Sequence, residues 1–109
     1  MPVASYQGVA EALETLLVDV DGGALGADRT LMLPALSLSN GELADAAARL
    51  AERRGLGQIG AVTEEVDAHA AAVVGGMARR VVSDRAVALG LPRDESADAI
   101  VEGYAADYL

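Results

Sequence analysis

The sequence contains no cysteine, no lysine, no phenylalanine and no tryptophan, and only three prolines. The absence of cysteine excludes disulfides, thiolate nucleophiles and cysteine–zinc sites together, and it fits a reducing compartment, so the cytoplasm is the expected location. Without Phe or Trp, the 52% of hydrophobic residues are mainly Ala, Leu and Val, with three tyrosines as the only large rings. Small side chains let helices approach closely, but each buries little apolar area. Cationic residues are also scarce: 17 acids face eight arginines, for a net charge of −9. Such a chain has no basic stripe with which to neutralise phosphates, which argues against a nucleic-acid partner and against an anionic membrane surface. No apolar run approaches the roughly 20 residues that span a bilayer, and Met1-Pro2-Val3-Ala4-Ser5 lacks the basic head and apolar middle of a signal peptide. An arginine-only, alanine-rich composition is the one expected of a GC-rich bacterial gene.

What is present reads as one domain, residues 1–109. Val9, Leu13, Leu16, Leu17 and Val20 recur at helical spacing, predicting an amphipathic helix over residues 6–20 that Asp21-Gly22-Gly23 ends. Residues 29–35 form a short apolar run that fits a buried strand finishing near Pro34. Ser39-Asn40-Gly41-Glu42 has capping-box spacing and opens a helix closed by Gly55. Residues 58–63 are a second strand candidate. Thr63 can cap a helix that runs to about Arg80 and is soft at Gly75-Gly76. Ser83 can cap a short helix stopping at Gly90, and Asp94 or Ser96 caps the last one. The alternation predicts an α/β fold: a small helix-rich domain with a short two-stranded parallel sheet.

Three segments, in order, carry a family resemblance. They are Ser5-Tyr6-Gln7-Gly8-Val9-Ala10; Arg29-Thr30-Leu31-Met32-Leu33-Pro34-Ala35-Leu36-Ser37 with Gly41-Glu42-Leu43; and Val74-Gly75-Gly76-Met77-Ala78-Arg79-Arg80, running into Ser83-Asp84-Arg85-Ala86 and Leu89-Gly90. Together they resemble the C-terminal, substrate-binding portion of extended short-chain dehydrogenases, the NAD-dependent epimerase/dehydratase family, with erythronate-type sugar-acid dehydrogenases most similar. The resemblance implies a substrate pocket to which Ser5, Met77 and Arg80 belong. It departs from the family at Tyr6-Gln7, Met77-Ala78 and Val81-Val82. No glycine-rich strand-to-helix fingerprint is present, and without lysine there is no Tyr-x-x-x-Lys pair. A self-sufficient NAD-dependent dehydrogenase is therefore not expected, and no cofactor is.

His69 is the only imidazole. On a helix it shares a face with Val66, Val73 and Met77. It serves either as a proton-transfer group in a small pocket or, more commonly, as a core or interface histidine bonded to a carbonyl. Glu64, Glu65 and Asp67 nearby read as helix-capping acids rather than metal ligands. Arg79-Arg80 at a helix end either offsets the helix dipole or clamps a carboxylate or phosphate; at Arg53-Arg54 the dipole reading is favoured.

Three functions compete. The first is a stand-alone relative of a dehydrogenase substrate domain, binding a small polar or anionic metabolite without hydride transfer. The second is a cofactor-independent lyase, isomerase or cyclase using His69. The third is an interaction module on a separate Rossmann-type subunit. The surface that relatives bury against a nucleotide domain would be left apolar, so a homodimer or a Rossmann-type partner is expected.

Overall fold

Side-chain oxygens fix where the helices start. The computed structural model describes residues 1–57 and 60–109. Ser5 is the N-cap of α1 (Tyr6–Val18), its hydroxyl accepting from the Gly8 amide at 2.9 Å. Ser39 opens α2 (Asn40–Arg54) with a complete capping box: its hydroxyl accepts from the Glu42 amide at 3.1 Å, and the Glu42 carboxylate accepts from the Ser39 amide at 2.7 Å. These bonds hold the Glu42 carboxyl below its ordinary range. Asp67 caps α3 (Ala68–Gly75) and Ser96 caps α5 (Ala97–Tyr108), each accepting from the amide three residues on. Ser83 precedes α4 (Asp84–Ala88) but makes no side-chain cap bond, contrary to expectation. Its backbone, φ −127° and ψ 27°, is not the extended geometry that aims a hydroxyl at the first turn.

Glycines end two of these helices. At Gly55 (φ 64°) and Gly90 (φ 84°) the chain turns left-handed. In each case the next leucine amide reaches back to an alanine carbonyl five residues earlier: Leu56 to Ala51 at 2.9 Å and Leu91 to Ala86 at 3.0 Å. The expected helix from Thr63 to about Arg80 shortens to α3. Asp67 supplies the cap, so residues 60–67 stay outside the helix, and the low helix propensity of Gly75-Gly76 stops it.

The sheet corrects a sequence expectation. It has two strands, β1 (Pro2–Val3) and β2 (Leu36–Ser37), paired antiparallel with Pro2 opposite Ser37 and Val3 opposite Leu36. Among the described residues the predicted parallel pair is not formed. In the 29–35 run, Leu31 and Leu33 turn inward while Met32 is exposed, an alternation a strand would show, but among the described residues no segment pairs with it. The pattern therefore reported burial and not pairing, and pairing begins only after Pro34, which has no amide to donate. Of the second predicted strand, residues 60–63 are not extended into a ladder, and Gln58 and Ile59 lie outside the described residues. The molecule is helix-rich with one small sheet, α/β in the broad sense.

Packing concentrates in two places. Ala12 of α1, Ala86 of α4 and Leu91 form a buried cluster, flanked by Leu16, Val20, Leu31, Leu33 and Leu89. Elsewhere α2 lies along α5, the principal helix pair, burying Ala46, Leu50, Ala51, Ala97 and Ala105. Arg85 ties the loop before the sheet to α4, its guanidinium donating to the carbonyls of Leu25, Asp28 and Thr30. The result is flat: 50 × 35 × 17 Å, with a radius of gyration of 16.8 Å, against about 13 Å for a compact chain of this length.

An ion-pair ladder crosses α2 and α5. Arg49 grips Asp98 through two nitrogens, at 3.0 and 2.8 Å, and Arg53 and Arg54 reach Glu102 at 3.2 and 2.7 Å. Arg53-Arg54 thus bridges a neighbouring helix besides offsetting its own dipole. Hydrogen bonds from these arginines hold the Asp98 and Glu102 carboxyls below their ordinary range. A carboxyl depressed in the folded state adds stability above its unfolded pKa and loses it as pH falls through the folded value. Melting temperature is therefore expected to hold down to about pH 5 and to fall below about pH 4. In Arg49→Ala the acid limb should be shallower; an identical limb would show that the ladder does not drive it.

Candidate functional site: an arginine-lined cleft

Charge is distributed against the trend of the whole chain around α4. Residues 79–93 hold four of the eight arginines, Arg79, Arg80, Arg85 and Arg93, with Asp84 the only acid. Arg85 is consumed by the carbonyls described above. Arg80 and Arg93, in contrast, line one open cleft of about 420 Å3 together with Ala35, Leu36, Ser37 and Ser83. Among the described residues, neither Arg80 nor Arg93 forms an ion pair.

The small sheet positions this cleft. β2 supplies Leu36 and Ser37 to its wall, and the Ser37 hydroxyl donates to the Arg79 carbonyl at 2.8 Å, which pins the irregular segment before α4 against the sheet edge. The sheet is in turn anchored by the Met1 ammonium, which donates to the Leu38 carbonyl at 2.7 Å. Ser83 opens into the cleft with its hydroxyl uncommitted to capping. Two guanidinium groups and a free hydroxyl around a polar space suit a carboxylate or phosphate, since the planar fork of arginine matches either oxyanion. Asp84 shares the cleft, so the site also accommodates a donor group on the ligand.

The residues singled out from sequence fall in different places. Arg80 lines the cleft. Met77 does not; it lines a neighbouring, less polar cleft of about 450 Å3 with Leu38, Val74 and Arg79, and Ser37 stands at both. Ser5 is buried, 7% exposed. Its hydroxyl donates to Asp94 at 2.6 Å and accepts from Gly8, and its amide donates to Asp94 at 2.7 Å. It holds α1 in place and faces no cleft described here. His69 is exposed on the first turn of α3, lines neither of these clefts and is not a packed core residue. Among the described residues no three His, Asp or Glu side chains converge as metal ligands, and no helix is long and apolar enough to cross a membrane.

Sequence reasoning missed Arg93 and Ser83. The signal for Arg93 is the local reversal of charge over residues 79–93 in an acidic chain. No protein family, curated protein or solved structure with which the chain was compared matches it.

Proposed function

We propose that this chain is a metabolite-binding lobe that holds a small anion, a carboxylate or phosphate carried on a polar body, between Arg80 and Arg93. The observation that supports this reading is the pairing, in one polar cleft of a chain with net charge −9, of two guanidinium groups that form no ion pair among the described residues. In an acidic protein, cations left without carboxylate partners at a concave surface focus anions locally. The ordered resemblance to the substrate portion of NAD-dependent epimerases and dehydratases supports the same reading and favours sugar acids as first ligands. Hydride transfer belongs to no residue of this lobe; a separate Rossmann-type subunit would have to supply it. Operation in the cytoplasm fits the lack of cysteine.

The test is binding. Sugar acids and inorganic phosphate are titrated against the native chain by calorimetry and thermal shift. A ligand at a hundredfold excess over Kd stabilises the native state by about 2.7 kcal/mol, a readily visible rise in melting temperature. Arg80→Ala and Arg93→Ala are each expected to weaken binding by roughly 10- to 100-fold, in line with the loss of one charge-assisted hydrogen-bond pair. Binding that survives both substitutions would overturn the assignment, as would the failure of every such anion to shift the melt.

A further inference from the structure

We infer that α3 of one copy of this chain docks into the apolar groove between α2 and α5 of a second copy, and the reverse, in a closed two-fold pair. This inference is independent of the anion cleft.

The argument starts from α3 itself. It has eight residues, Ala68–Gly75, and every one of them is exposed, including Val73 (54%) and Val74 (53%). An isolated helix shorter than about 12 residues is marginal in water even when rich in alanine. Among the described residues, only Met1, Ser37, Leu38, Ser39 and Glu42 border it, across a cleft at its C-terminal end that Val74 and Gly75 line, so most of its cover must come from outside the chain. Within α3, Ala70, Val73 and Val74 recur at the spacing of one helical face and carry no charge.

The chain also displays a receptor of matching chemistry. The groove of about 350 Å3 between α2 and α5 is lined by Ala47, Leu50, Leu56, Ile100, Val101 and Tyr104, among other apolar groups, with no charged side chain. Its ion-pair ladder stands to one side, where Arg49, Arg53 and Arg54 meet Asp98 and Glu102. An uncharged helix face without a cover and an uncharged groove without an occupant on one chain are mutually complementary. Two such contacts related by a dyad close without leaving either surface free, as an isologous dimer requires.

Area favours a second copy. The chain exposes 7742 Å2, whereas a compact monomer of its mass exposes about 5,700 Å2. The surplus of roughly 2,000 Å2 is spread over the whole flat chain and leaves ample uncovered area for the ~800 Å2 each partner contributes to a standard interface. Net charge opposes the association, −9 on each copy. Salt should therefore tighten the pair by screening the repulsion, opposite to its effect on an interface built from ion pairs.

Sedimentation and light scattering on the full chain test this. The expected result is twice the 11.1 kDa chain mass at micromolar concentration, with Kd falling severalfold between low and high salt. Val73→Asp and Leu56→Asp should each raise Kd by more than 100-fold while leaving helical circular dichroism and anion binding unchanged. Leu17→Asp on α1, at a position 85% exposed, should leave Kd unchanged. Because the chain has no cysteine, Val73→Cys and Ile100→Cys chains can be mixed and oxidised, and should yield a mixed disulfide dimer in preference to either self-linked one. A monomer at high concentration would overturn the inference and leave α3 to a different partner. So would a dimer broken by Leu17→Asp and not by Val73→Asp, or the absence of the mixed cross-link.

Discussion

Asp94→Ala is expected to lower stability by about 2–4 kcal/mol, the lower part of the range for two charge-assisted hydrogen bonds because the pair is only partly buried. The Asp94 carboxylate accepts from both the amide and the hydroxyl of Ser5, at 2.7 and 2.6 Å, across 89 residues of sequence. Removing it leaves a buried amide without a partner and releases the serine that caps α1. The fit around this pair is close: a methyl group on Gly8 would lie 3.2 Å from the carboxylate and 3.0 Å from the serine hydroxyl. Against a total stability of ~5–15 kcal/mol for a domain, the loss is large, and the melting temperature should fall by roughly 10–20 °C. Asp94→Asn retains one acceptor and should lose about half as much. In a double-mutant cycle with Ser5→Ala, the two positions should couple by roughly 1–3 kcal/mol. Additive losses would show that the bridge contributes no joint stabilisation.

This bridge also shows what could and could not be read from sequence. Helix starts are local, so Ser39 and Ser96 are recognisable from spacing and do cap α2 and α5, whereas Ser5, which the resemblance places in a substrate pocket, is the cap of α1. The same logic offered Asp94 as a cap for the last helix. Its actual partner is Ser5, and nothing local records a contact between the two ends of a chain. The sheet failed for a related reason: two-residue strands carry no periodicity, and the run over 29–35 alternates because Leu31 and Leu33 face the core without any ladder. At the site, Arg80 was reachable through a family resemblance and Arg93 was not, because the cleft that joins them is made by the turn at Gly90 and the placement of β2. His69 looked central because its helical neighbours are apolar. In the structure Val66 and Met77 lie outside α3 (Ala68–Gly75), so that apolar face is not formed as one helical stripe and His69 is left exposed.

Leu91→Ala is expected to cost about 2–4 kcal/mol, within the range for a buried leucine that leaves a cavity. Six of the eight buried hydrophobic residues are alanines, and only Leu50 and Leu91 are large. Each leucine serves a different packing centre: Leu50 the α2–α5 pair, and Leu91, 5% exposed, the cluster with Ala12 and Ala86. Leu91 also donates its amide to the Ala86 carbonyl in the turn that ends α4, so its side chain is fixed over the cluster by the helix stop itself. In a flat molecule with two centres, losing one should not melt the other at the same temperature. Hydrogen exchange on Leu91→Ala is therefore expected to show amides of α1 and α4 losing protection while those of α2 and α5 keep theirs. Leu50→Ala should give the reverse pattern, and the double variant should add the two costs, because the centres share no side chain. Uniform loss of protection in either single variant would mean that the two centres fold as one cooperative unit.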